Sequence, residues 1–530
     1  MKNVLSKTSS ICPKCQAIIG ATIFEKNGKV FIEKSCKKHG KFSDLYYGSY
    51  EMYKKAERFA CDGKGVENPN VTKESPICPK DCGLCNMHKS HTALANIAVT
   101  NRCDLNCWYC FFYAGRVGYV YEPTLEQIDK MVGMLANEKP VACNAVQLTG
   151  GEPCIRNDLV DIVKIVKKHG IDHIQLNTNG IILGKNLELT KNIRQAGINT
   201  LYLSFDGVSP KTNPKNHWEI PQIFDTARQA GVGIVLVPTI INSINDHEIG
   251  SIVKFGFKHS DIVRSVNLQP VSLVGRMPKS DLKKYRITIP DVIQRLEEQT
   301  NGEISKDDFY PVPTVSAITD FVEAMTGESS YHLSSHFACG MGTYVFNDNG
   351  KMIPITRFVD VEGLMEYLNS VSVKLRNGKN KYIASLKLLW KIGSFIDEDK
   401  QPDGFNIGKI IYNALTKHDY RSLGAFHSKS MFIGMMHFMD QWNYDIERVK
   451  RCCIHYAMTD GRIIPFCAFN VIPEWYRDKS QKAQGISIRK WEKENNVRLK
   501  DILYKRNVKE LEASPLYQQT YEGFVNQTKN

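Results

Sequence analysis

The sequence has no uninterrupted apolar run of about 18 residues, the length a membrane-spanning helix needs, so no transmembrane segment is expected in its 530 residues. The opening "MKNVLSKTSSICPKC" has no apolar h-region, so no secretory signal is read and a cytoplasmic location is expected. Without an export signal, a disulfide framework accounts poorly for the 16 cysteines. They fall in tight CxxC-type clusters, which points to metal. A chain this long exceeds one ordinary core, so roughly two to four domains are expected.

A fourth cysteine is missing where one would be looked for. "TNRCDLNCWYC" runs from Thr100 to Cys110 and places Cys103, Cys107 and Cys110 at a C-x3-C-x2-C spacing. Iron–sulfur cubanes usually take four thiolates. With three, one iron keeps an open position, as a catalytic zinc does for water. The methionine moiety of S-adenosylmethionine offers an amine and a carboxylate to such an iron. An electron from the reduced cluster can then split the sulfonium, leaving a 5′-deoxyadenosyl radical.

The formal charge is +13, of which metal-bound thiolates would cancel several units. The excess suits nucleic acid, a phosphorylated small molecule or a lipid headgroup; a solvated lysine-rich surface accounts for it equally well.

Residues 1–60 carry "CPKC" and "CKKHG", with "KVFIEKSC" expected as a strand, and are expected to form a metal-stapled knuckle. Residues 61–95 hold a second cluster, "ICPKDCGLC". From 96 to about 300, short β-rich runs ("NIAVT", "AVQLTGG", "HIQLNTNG", "TLYLSFDG", "GIVLVPTI", "VRSVNLQP") alternate with helical ones, two of them ending at Gly170 and Gly197. Six such units predict an α/β fold: a partial (β/α)6 barrel of parallel strands, with its site at their C-terminal ends. Over 301–530, "FACGMGTYVFNDNGKMIPIT" and "RCCIHYAMTDGRIIPFCAFN" are expected as two similar hairpins bearing further cysteines. "KYIASLKLLWKIGSFI" spaces Ile383, Leu386, Leu389, Trp390 and Ile396 along one helical face. That helix is expected either at an anionic lipid surface or as an ordinary half-buried element.

The cysteine triad with Tyr109 before its last member, and "LTGGEP" closing the second strand, resemble the radical SAM superfamily. In that comparison Gly150 and Gly151 let backbone approach the ligand, and Glu152 accepts from the methionine ammonium. "NTNG" (with Asn177 and Asn179) and "LSFDG" (with Ser204 and Asp206) fall where the superfamily contacts ribose and carboxylate. Over nearly the whole chain, "CPKC…CKKHG", "ICPKDCGLCNMHKSHT" and "CC…GRIIPFC" resemble the archaeal tetraether lipid synthases. That resemblance implies joining of isoprenoid chain ends of archaeal ether phospholipids, through hydrogen abstraction and a carbon held on an auxiliary cluster. It implies peripheral membrane contact and an electron donor as well. The alternative is radical methylation of a pterin or similar small heterocycle; a compact cleft lined by amides or carboxylates, rather than two long apolar channels, would favour it. A third reading is a peptide maturase. A basic zinc-ribbon protein binding RNA would leave "GGEP" and the β–α series unexplained, so no nucleic-acid partner is expected.

For the other cysteines, Cys12, Cys15 and Cys36, with Cys61 or His39, are expected to hold one mononuclear iron or zinc, the family resemblance favouring iron. Cys78, Cys82 and Cys85, and separately Cys339, Cys452, Cys453 and Cys467, are expected to serve two auxiliary 4Fe–4S clusters. Cys143 and Cys154 are expected to be non-ligands. His88 and His91 are candidates for a phosphate or cluster contact or for structural roles. The Met-rich run 431–440 is expected either in the core or along a channel.

Overall fold

A computed structural model describes residues 2–112, 117–278, 281–402, 406–417, 426 and 429–524. The N-terminal segment is a four-stranded antiparallel meander of Asn3–Ile11, Ile18–Lys26, Lys29–Cys36 and Gly40–Tyr47. Its central hairpin turns on Asn27 and Gly28, both at positive φ, the pairing that a two-residue turn between twisted strands favours.

The six expected strands form: Leu94–Thr100, Ala145–Gly150, His173–Thr178, Thr200–Ser204, Gly233–Val237 and Val263–Pro270. Each pairs in parallel with the next. Helices such as Leu125–Ala136, Leu159–Lys168 and Ile220–Ala230 return the chain between them. Leu159, Ile162, Val163 and Val166 repeat at helical spacing, and all are buried against the sheet.

Two strands from the C-terminal half join the same sheet. Ser430–Met436 runs parallel to Val263–Pro270, and Ile454–Ala457 runs parallel to Leu94–Thr100. They extend both edges of the six-stranded wall. Both expected hairpins are present: Gly340–Asp348 with Lys351–Pro354, and Ile454–Ala457 with Ile463–Pro465.

Strand alternation divides the wall into two faces. Ile97, Leu148, Leu176, Leu201, Ile234 and Val266 point to the helices and are fully buried. Asn96, Gln147, Gln175, Tyr202, Ser265 and Asn267 point inward and line a cavity. Barrel interiors of this kind are usually filled by Val, Ile and Leu; here Val235 and Val237 of the fifth strand keep to that pattern, while the positions just named bring polar groups into the cavity.

A smaller core gathers Phe321, Phe346, Leu364, Leu368 and Leu388 of the C-terminal half. Within it the helix Lys381–Ile392 buries Ala384, Leu388 and Ile392. The face marked by the sequence spacing, with Ile383, Leu386, Leu389 and Trp390, is exposed instead. Residues four apart pack here, and the larger apolar side chains are left outside. Among the described residues no helix is long and apolar enough to cross a membrane.

Candidate active site

The loop after the first barrel strand carries Cys103, Cys107 and Cys110 to the rim of a cavity of about 560 Å³. The loop is clamped from two sides. Arg276 donates its backbone N–H to the Cys110 carbonyl at 3.0 Å, and Leu105 donates to the Cys103 sulfur at 3.4 Å. Burial, with the Asp104 and Glu152 carboxylates nearby, pushes the Cys103 thiol well up. Burial also raises Cys107, against the opposing pull of the Lys215 ammonium.

The glycines of "GGEP" line the cavity. Their missing side chains also admit the chain that leads into the cysteine loop. A Cβ on Gly150 would overlap the Thr100 carbonyl, and one on Gly151 the Arg102 carbonyl. Gly151 N–H donates to Thr100 at 2.8 Å. Glu152 is fully buried and accepts from the Thr178 hydroxyl (2.7 Å), Asn179 N–H (2.8 Å) and Cys154 N–H (3.1 Å). Burial, then the Asp104 charge, pushes its carboxyl up to about 7.

Tyr109, Asn177, Asn179 and Ser204 all line the cavity. Asn177 donates to the Thr149 hydroxyl at 3.0 Å, and Asn179 to Asp104 at 2.7 Å. Asp206 sits behind that lining. It accepts from the Tyr109 hydroxyl, from Thr239 N–H at 2.8 Å and from Lys215 at 2.9 Å. It therefore anchors Tyr109 and Lys215 at the cavity.

Lys215 was not legible in the sequence. It follows "LSFDG" in an irregular loop, yet it lines the cavity, with its ammonium 4.7 Å from the Tyr109 ring centre. The inward amides were missed as well, although the phase of strand alternation marks them. Gln147 donates to Asn96 at 2.8 Å, and its own carbonyl oxygen is buried without a partner among the described residues. Asn267 and Gln269 both donate to the Tyr202 hydroxyl. The same cavity is also bordered by Met341, Met435, Met436, Phe438 and Phe466. Within the Met-rich run, Met435, Met436 and Met439 border the cavity, and Met435 and Met439 are also core residues, as Met431 is.

At the N-terminus the ligand atoms of Cys12, Cys15, Cys36 and His39 lie within 4.8 Å of one another, a tetrad suited to one tetrahedral ion. Cys61 does not join them; its sulfur lies 3.4 Å from the Ser316 hydroxyl. Cys78, Cys82 and Cys85 share a loop, and burial together with Cys78, Cys85 and Cys452 pushes Cys82 well up. Burial, then Cys452, raises Cys467. The fully buried Tyr444 hydroxyl has no partner among the described residues and lies in the electrostatic reach of Cys78, Cys82 and Cys467. Cys143 and Cys154 are buried thiols near the Ala145 carbonyl and the Thr178 hydroxyl. His88 and His91 are internal, held by the Cys452 carbonyl (2.8 Å) and by His332 N–H (2.9 Å).

The radical SAM superfamily signature matches residues 97–256, and that of the HMPTM N-terminal zinc ribbon domain matches residues 4–48. A 7,8-dihydro-6-hydroxymethylpterin dimethyltransferase of Methanocaldococcus jannaschii is 45% identical over 501 residues, covering 93% of this chain and 98% of its own length. The chain belongs to that family. Its superfamily implies S-adenosylmethionine and a 4Fe–4S cluster, and the N-terminal tetrad fits zinc or iron. A GTP 3′,8-cyclase of Limosilactobacillus fermentum is 30% identical over 182 residues, 33% of this chain and 54% of the relative. Methylornithine synthase, a solved structure, overlaps 40% of this chain and 64% of its own at 20% identity and a TM-score of 0.31, too weakly to inform the reaction.

The full-length relative is named for a small pterin. That finding overturns the tetraether-synthase resemblance as a guide to activity, and with it the coupling of lipid chains and the ether-phospholipid substrate. Peripheral membrane contact and a dedicated electron donor, expected on the same resemblance, have no support from it.

Proposed function

We propose that this chain is a radical SAM methyltransferase acting on a pterin or a similar small heterocycle. The observation that carries the reading is the full-length likeness to a pterin dimethyltransferase. The cavity adds support: it is bordered by the amides of Asn96, Gln147, Gln175, Asn177 and Asn267 together with Met and Phe side chains. Amides suit the alternating donors and acceptors on the edge of a pterin, and sulfur and aromatic side chains suit its flat faces. The buried Gln147 carbonyl oxygen lacks a donor; such a group costs about 1–3 kcal/mol, and a substrate N–H would relieve it.

When bound, the cofactor and its cluster supply the one-electron chemistry. The chain's own residues hold and orient. Cys103, Cys107 and Cys110 are assigned as the cluster ligands. Lys215, fixed by Asp206, is assigned to the cofactor carboxylate, with Asn177, Asn179 and Ser204 at its polar edges. Cys78, Cys82 and Cys85 with Cys452, and Cys339 and Cys467 with Cys453, are assigned to two auxiliary iron–sulfur centres. The orphaned Tyr444 hydroxyl between them supports that assignment, because a cluster sulfur would accept its proton.

The test is anaerobic incubation of the reconstituted protein with S-adenosylmethionine, a chemical reductant and 7,8-dihydro-6-hydroxymethylpterin, followed by mass spectrometry. Pterin gaining one or two methyl groups supports the proposal. An unchanged pterin beside abundant 5′-deoxyadenosine would refute it.

A further inference from the structure

Arg448 is among the most deeply buried charges in the protein, at 2% exposure. It lies on the short helix Ile446–Lys450. One guanidinium nitrogen, Nη2, donates to the His437 carbonyl at 2.7 Å, and Nε donates to the Cys339 sulfur at 3.3 Å. The face of the group lies 5.6 Å from the Tyr46 ring centre. Among the described residues no carboxylate comes within ion-pair distance of it. Asp445, three positions away, is taken up by the Thr8 and Tyr46 hydroxyls and by Glu447 N–H.

A buried guanidinium without an anion is costly, by several kcal/mol. Unlike a buried lysine, it cannot escape by losing its proton. Carbonyls and neutral thiols do not balance its charge. Thiolates do, and cysteine sulfurs in a buried apolar setting become thiolates when they bind metal. The sulfur that Arg448 touches belongs to the Cys339, Cys453 and Cys467 group.

We propose that Arg448 is the built-in counter-cation of an auxiliary iron–sulfur centre ligated through Cys339, and that its charge and its Nε–H bond to sulfur raise that centre's reduction potential. The inference rests on the auxiliary-centre assignment made above. A nearby cation favours the more negative, reduced state, and hydrogen bonds to cluster sulfurs act in the same direction. Arg448 is thus a positioning and tuning residue. It has no contact with the cavity beneath Cys103.

The test compares the reconstituted full-length protein with Cys339→Ser, Arg448→Met and Arg448→Lys variants. Iron and sulfide are counted, and a dye-mediated redox titration is followed by electron paramagnetic resonance. Cys339→Ser is expected to lose one centre's iron and its signal. Arg448→Met is expected to keep the iron while its reduced-to-oxidised ratio at a fixed potential falls at least tenfold, equivalent to 59 mV for a one-electron couple. Arg448→Lys is expected to shift the same way by less; if the Met variant does not fold, this shift decides. Unchanged iron in Cys339→Ser overturns the auxiliary centre and the proposal together. Loss of iron there with an unmoved potential in the arginine variants overturns the role of Arg448 alone.

Discussion

Glu152 donates its backbone N–H to the carbonyl of Arg102 at 2.8 Å, tying the end of the second barrel strand to the residue before Cys103. The contact exists because Gly151 has no side chain there. Gly151→Ala is therefore expected to displace the cysteine loop and cost more than about 2 kcal/mol. Thermal denaturation of the apo chain and iron retention after reconstitution check it. A variant with native stability and full iron would refute this role.

Lys215 is expected to matter for cofactor affinity rather than for the fold of the cysteine loop. Lys215→Met removes a charged hydrogen-bond donor worth roughly 1.5–3 kcal/mol, so S-adenosylmethionine should bind at least about tenfold more weakly. Asp206→Asn combined with Lys215→Met avoids a stranded carboxylate and controls for stability. Equilibrium dialysis with labelled cofactor reads both. Unchanged affinity in both variants contradicts the assignment.

The N-terminal tetrad separates two candidate ligands. His39→Ala is expected to lose the bound ion, whereas Cys61→Ser should keep it, because Cys61 lies beside Ser316 instead. Elemental analysis of purified variants decides, and it also distinguishes zinc from iron. The reverse pattern would mean the tetrad is misassigned.

Glu138 gives a pH dependence with a defined sign. It is buried, accepts from Thr92 N–H at 2.6 Å, and burial pushes its carboxyl up to about 7 from the ordinary 4.5. Between those values the folded chain keeps a proton that the unfolded chain has released. Stability therefore falls as pH rises through that window, by at most about 3 kcal/mol. Glu138→Gln should flatten the slope. Urea midpoints from pH 4.5 to 7.5 test it, and identical slopes would contradict the account.

Arg506 pairs with the fully buried Glu219 through contacts of 2.6 and 2.9 Å. Arg506→Met leaves the buried carboxylate without its cation, with the Tyr504 hydroxyl still bonded to it, and is expected to cost about 3–5 kcal/mol. Adding Glu219→Gln should recover a large part of it. A single variant as stable as the wild type would show that water already compensates Glu219.

The six β–α units were legible because each strand is a short β-rich run, and helices such as Leu159–Lys168 repeat apolar residues at 3.6 spacing. The grouping of Cys103, Cys107 and Cys110 at the cavity rim was legible because they are close in sequence. The two added strands were not, since Ser430–Met436 and Ile454–Ala457 pair with segments far away in the chain. Lys215 lay in a loop without a period. At 381–392 the largest apolar residues share one face, which is exposed, while Ala384 and Leu388 do the packing, so the sequence spacing alone did not say which face is buried. The substrate was misjudged because the same cysteine and glycine motifs serve many radical reactions; only the inward phase of Asn96, Gln147 and Gln175 spoke about the ligand.

The parallel pairing of Ile454–Ala457 with Leu94–Thr100, and of Ser430–Met436 with Val263–Pro270, sets a schedule for biosynthesis. A ribosome must finish most of the polypeptide before either margin of the six-stranded wall is covered. Until then both margins are open to mispairing with other chains. The cavity that Cys103, Cys107 and Cys110 border is likewise closed only once these late segments are in place, because Met435, Met436 and Tyr456 line it too.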